Sequence, residues 1–104
     1  IALGLAQRAR ELDSDNPVYA DTLGWIQYKK GSYGMALEML KESNEKYKSM
    51  NPTILYHLGL AYQKTGDNLR AKESLTKALA VSQTFSEADE ARSALSALKA
   101  TTTN

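Results

Sequence analysis

The residue types that carry out chemistry are sparse in this sequence. It holds one histidine, His57, and no cysteine, which removes thiolate nucleophiles, thiolate metal ligands and disulfides together. A metal at His57 would need carboxylates for every other ligand, and no Asp or Glu stands at a spacing that metal sites use. Ser32, Ser43 and Ser49 lie on other stretches than His57, without a third group to orient a base, so a nucleophile–base pair has no footing. The glycines at 24, 31, 59 and 66 form no loop that would cradle a phosphate. No catalytic residue, metal ligand or cofactor is assigned, and the sequence does not read as an enzyme. What remains is recognition chemistry. Trp25, Tyr28 and Tyr56 offer large rings with few rotors to freeze, and Lys29, Lys30 and Lys64 offer cations.

The elements that position these side chains have an internal period. Asn16-Pro17, Leu23-Gly24 and Gly31 recur as Asn51-Pro52, Leu58-Gly59 and Gly66, each pair 35 residues apart. Within each unit, Asn and Pro suit a helix cap and first turn, an apolar pattern of helical spacing follows, a Gly breaks it, and a second helical pattern begins. Gly24 is expected to let a neighbouring helix come close, and Gly31 to supply the turn. Helix B of the first unit is predicted over Tyr33 to Lys48, burying Ala36, Leu37 and Leu40. In the second unit helix A carries Leu55, Leu58, Ala61 and Tyr62, and helix B carries Leu69, Ala71, Leu75, Ala78 and Leu79.

The ends fit the same scheme. Residues 1–13 read as a helix B without its helix A, because Ala2 and Ala9 stand 34 residues before Ala36 and Ser43. Ser86 to Ala100 places Ala88, Ala91, Leu95 and Leu98 on one stripe and Glu87, Asp89, Glu90 and Arg92 on the other side, as a closing helix should. The expected organisation is a single all-α domain of six antiparallel helices: 1–13, a first repeat over 17–51, a second over 52–84, a capping helix over 85–100 and a tail over 101–104.

Composition limits the partners. Thirteen Lys and Arg against twelve Asp and Glu in 104 residues give a net charge of +1, too weak a field to attract nucleic acid. No apolar run approaches the roughly 18 residues of a membrane span, so no insertion by this segment is expected. Ile1-Ala2-Leu3-Gly4 has neither an initiator Met nor a basic leader, and the chain reads as a piece of a longer protein. Absence of cysteine leaves the compartment open.

The repeated residues resemble the tetratricopeptide repeat, with its 34-residue period and its W-x2-L-G-x2-Y, Ala, Phe and Pro pattern. The match is Leu23-Gly24, Leu58-Gly59-x2-Tyr62, Ala36 and Ala71 early in each helix B, and Ala9 and Ala78 later. Ala20 and Leu55 stand in place of the early Trp, Gln27 in place of the Tyr and Ser43 in place of the later Ala. A finer resemblance, in Asp21-Thr22-Leu23-Gly24-Trp25, Lys64-Thr65-Gly66-Asp67 and Phe85-Ser86-Glu87-Ala88, is to the C-terminal part of bacterial tetratricopeptide lipoproteins of exopolysaccharide and exosortase systems. It implies a bacterial, extracytoplasmic parent.

The family resemblance implies an α-α superhelix (a solenoid) whose A helices line a concave face for a protein or peptide. By position, that face would present Val18, Asp21, Trp25, Tyr28 and Lys29 from the first repeat and Thr53, Tyr56, Leu60, Gln63 and Lys64 from the second. The family's carboxylate clamp is missing, since Asp21, Trp25 and His57 occupy its places. Two readings stay open. The concave face holds a partner, or the segment is a structural cap of a longer solenoid with the partner site elsewhere. The aromatics themselves suit packing between hairpins as well as ligand contact, and His57 reads as a partly exposed helix residue. An N-terminal helix lacking its neighbour also offers a surface for self-association.

Overall fold

The computed structural model describes residues 17–47 and 51–101, with side chains over 20–47 and 51–99. Among these residues are five α-helices and no strand: α1 (Pro17–Lys29), α2 (Tyr33–Lys46), α3 (Pro52–Lys64), α4 (Asn68–Val81) and α5 (Ala88–Thr101). The helix expected over 1–13, the self-association surface assigned to it and the side chain of Val18 lie outside the described residues.

Local chemistry accounts for the helix ends. α1 and α3 open on Pro17 and Pro52, where a missing N–H leaves nothing unpaired. At α3 the Asn51 side chain accepts from the backbone N–H of Thr53 at 2.8 Å and of Ile54 at 3.2 Å, so two of the orphan donors are satisfied. Both hairpin turns are built alike. Ser32 N–H donates to the Gln27 carbonyl and Asp67 N–H to the Tyr62 carbonyl, each at 2.9 Å, while Gly31 and Gly66 take φ of 87° and 90°. Only a residue without Cβ adopts that left-handed backbone at little cost.

The helices stack in chain order, each on the one before, and α3 also touches α1. Small residues set the spacing. A Cβ on Gly24 would stand 2.9 Å from Leu40 Cγ, and one on Gly59 would stand 2.8 Å from Leu75 Cγ. Leu40 and Leu75 are both wholly buried, so in each hairpin a leucine of the second helix fills the groove left by a glycine of the first. One cluster gathers Ala36, Leu40, Leu58 and Ala61 between the hairpins, and another gathers Tyr56, Ala71, Leu75, Ala91 and Leu98 beneath α5. The positions that depart from the repeat pattern are buried as the pattern requires: Ala20, Leu55, Gln27 and Ser43.

Several boundaries and faces differ from expectation. α2 ends at Lys46, before the expected Lys48, and the closing helix runs from Ala88 to Thr101, taking in the first residue of the expected tail. Leu69, assigned to the buried pattern of helix B, is 69% exposed. It precedes Ala71 by two residues, about 200° around a helix, so the face holding Ala71, Leu75 and Ala78 turns Leu69 away from the core. Leu69 instead shares a face with Lys72 and Thr76, at i+3 and i+7.

Candidate partner-binding face

Helical spacing places Asp21, Trp25, Tyr28 and Lys29 on one face of α1 and Thr53, Tyr56, His57, Leu60 and Lys64 on one face of α3. Contact between the two helices turns these rows into a shared aromatic assembly. The Trp25 ring stacks on Tyr28 of its own helix, centroids 4.7 Å apart and planes 11° apart, and on His57 of α3 at 4.0 Å and 17°. Tyr28 in turn meets Tyr33, at the start of α2, edge-on at 5.2 Å. Tyr56 tilts toward Trp25 at 6.4 Å.

The cations lie over these rings. Lys29 Nζ is 5.5 Å from the centre of the Trp25 ring, and Lys64 Nζ is 5.6 Å from that of Tyr33. Each lysine is the last residue of its helix and complements the negative end of the helix dipole. Both remain exposed, and Trp25, Tyr28, Leu60 and Gln63 are half-buried. A surface of this kind can take an apolar side chain on its rings and accept carboxylates or carbonyl oxygens at its ammonium groups.

Three residues assigned to the face by position are engaged within the chain. The Thr53 hydroxyl donates to Glu87 Oε1 at 3.0 Å, which ties the start of α3 to the turn before α5. Tyr56 is nearly buried in the cluster under α5, and its phenol is held above the ordinary tyrosine range by burial first, then by Glu90, Tyr28 and Glu87. Tyr28 is raised in the same direction by burial and by Tyr33. Asp21 Oδ1 lies 2.8 Å from His57 Nδ1.

That last contact corrects the reading of His57 as partly exposed. The residue is 8% exposed, stacked on Trp25 and hydrogen-bonded to Asp21 of the neighbouring hairpin. An ionised carboxylate only accepts, so the Nδ1–H is the donor. The position-by-position reading of the face also missed Tyr33, Glu87 and Glu90. Tyr33 belongs to α2 and the two glutamates to the segment that opens α5, so no count along an A helix reaches them.

Among the described residues, no three His, Asp or Glu side chains converge as a metal site would require, and no helix is long and apolar enough to cross a membrane. Residues 52–85 match the family model of the tetratricopeptide repeat. No curated protein matches the chain. The matched segment covers α3, α4 and the loop that follows, with the Gly59–Leu75 contact at its centre. The chain is an all-α helical-repeat protein that carries a tetratricopeptide repeat at 52–85, a scaffold of protein–protein interaction.

Proposed function

We propose that the chain holds a segment of a partner protein on the face formed by α1 and α3, as part of a longer array. The supporting observation is the shelf of half-buried Trp25 and Tyr28 bordered by exposed Lys29 and Lys64. Leu60 and Gln63 extend it along α3, while Asp21, Thr53 and Tyr56 keep it in shape through His57, Glu87 and the core under α5. The partner segment lays an apolar side chain against the rings and sets acceptors against the two ammonium groups. Lys29→Glu with Lys64→Glu in the full-length protein is expected to reduce partner capture at least about tenfold while helicity is kept. Trp25 is the sole tryptophan, so its emission reports occupancy directly.

A second reading draws on the packing of the same residues. Trp25 is stacked on His57 across the hairpin boundary and Tyr56 is 9% exposed, which suits a segment that closes a solenoid while other repeats bind. Capture by the full-length protein that is indifferent to both lysine reversals and to Gln63→Ala would favour this reading.

A further inference from the structure

A second exposed surface lies on other helices. Leu69 of α4, 69% exposed, and half-buried Leu95 of α5 line an open groove of about 420 Å³. Lys72, Lys77 and Lys99 border it, with Glu73 and Thr76 completing the α4 side. The α4 residues 69, 72, 73, 76 and 77 follow the i, i+3, i+4, i+7, i+8 pattern of a single helix face. This is the pattern of a face that receives another helix.

The order of the stack gives the groove its shape. α3 packs on α2, α4 on α3 and α5 on α4, so the next place in the progression runs along α5 and beside α4. That place is the groove, and no other described element covers it. Its charge decides among possible occupants. Three lysines against one glutamate make a cationic border, and the lysine stems add apolar wall beside the two leucines. An incoming helix with a basic flank would be repelled, whereas one with an acidic flank would be steered and fixed in register.

We propose that the α4–α5 groove docks an acidic amphipathic helix of a partner protein, its apolar stripe on Leu69 and Leu95 and its carboxylates against Lys72, Lys77 and Lys99. The site shares none of the residues of the α1–α3 shelf and does not depend on the reading of that face.

The test uses the full chain and three labelled peptides of about 18 residues, long enough for five helical turns. One carries a leucine stripe flanked by glutamates, one the same stripe flanked by lysines, and one a scramble of the first. Anisotropy titrations are expected to show binding of the glutamate peptide alone. Leu69→Asp, and separately Lys77→Glu with Lys99→Glu, should each weaken it at least about tenfold, and Lys29→Glu with Lys64→Glu should leave it unchanged. Leu69 is exposed in the first turn of α4, where an acidic side chain favours the helix dipole, so the variant keeps its fold and circular dichroism verifies this. The proposal fails if no peptide binds, if the lysine peptide binds equally, or if only the α1–α3 variant weakens binding. It also fails if sedimentation shows the groove variants abolishing a self-association of the chain, because the occupant would then be a second copy.

Discussion

His57 of α3 and Asp21 of α1 share a hydrogen bond of 2.8 Å across the boundary between two hairpins, with both side chains largely shielded from water. It is the polar counterpart of the Trp25–His57 stack, and together they fix how one hairpin sits on the next. Asp21→Asn and His57→Gln should each lower stability, and the double variant should lose less than the sum, with a coupling of about 1 kcal/mol. Urea denaturation of the four proteins measures it, and additive losses would mean that the pair contributes nothing.

Gly59→Ala should destabilise more than Gly24→Ala. The new Cβ at 59 would stand 2.8 Å from Leu75 Cγ and 3.3 Å from the Ala71 carbonyl oxygen, which is backbone and cannot rotate away. At 24 the nearest atoms all belong to side chains, of Leu40 and Met39. Overpacking costs about 1–3 kcal/mol, and alanine's better helix propensity offsets about 1 of it. Denaturation midpoints of the two variants give the order.

Alkaline pH should loosen the molecule through Tyr56 and Tyr28. Both phenols are raised above the ordinary 10.0, chiefly by burial, so the folded state favours their protonated form. The stability this provides is complete below pH 10 and is lost as pH rises through the raised folded values. Tyr56→Phe removes one share of that loss. Its thermal midpoint should therefore fall less steeply above pH 10 than that of the parent, and parallel curves would contradict the assignment.

The acid side is governed in part by Asp67, which caps α4. Its carboxyl is held below the ordinary 3.8 first by the hydrogen bond from the Arg70 guanidinium, at 2.7 Å, and then by the Arg70 backbone N–H, at 3.1 Å. The stability it provides is present above pH 3.8 and is lost as pH falls through its lower folded value. Asp67→Ala should therefore melt earlier than the parent at pH 7 and together with it at about pH 2. A gap of equal size at both pH values would rule out the charged cap.

Legibility along the chain followed the range of the interactions. The cap at Asn51, the turns at Gly31 and Gly66, and the close approaches at Gly24 and Gly59 were readable because each depends on residues a few positions apart or on a spacing repeated in both hairpins. Even the substituted positions Ala20, Leu55, Gln27 and Ser43 kept their burial, since period rather than identity sets which face turns inward. Leu69 broke the rule because apolar character alone did not say which side of α4 it would occupy, and its neighbours at 71, 75 and 78 had already taken the core.

The sequence by itself determined the helices, their order and the repeat that pairs them, because capping, helical period and glycine backbone freedom act over a few residues and recur at a regular interval. Only the tertiary structure decided what the A-helix residues do. Tyr56 and Thr53 are drawn to α5, His57 is buried between Asp21 and Trp25, and Lys29 and Lys64 are left on the surface. These outcomes depend on which helices meet across 30 or more residues of chain, and a periodic pattern assigns a residue to a face without saying which neighbour that face will find.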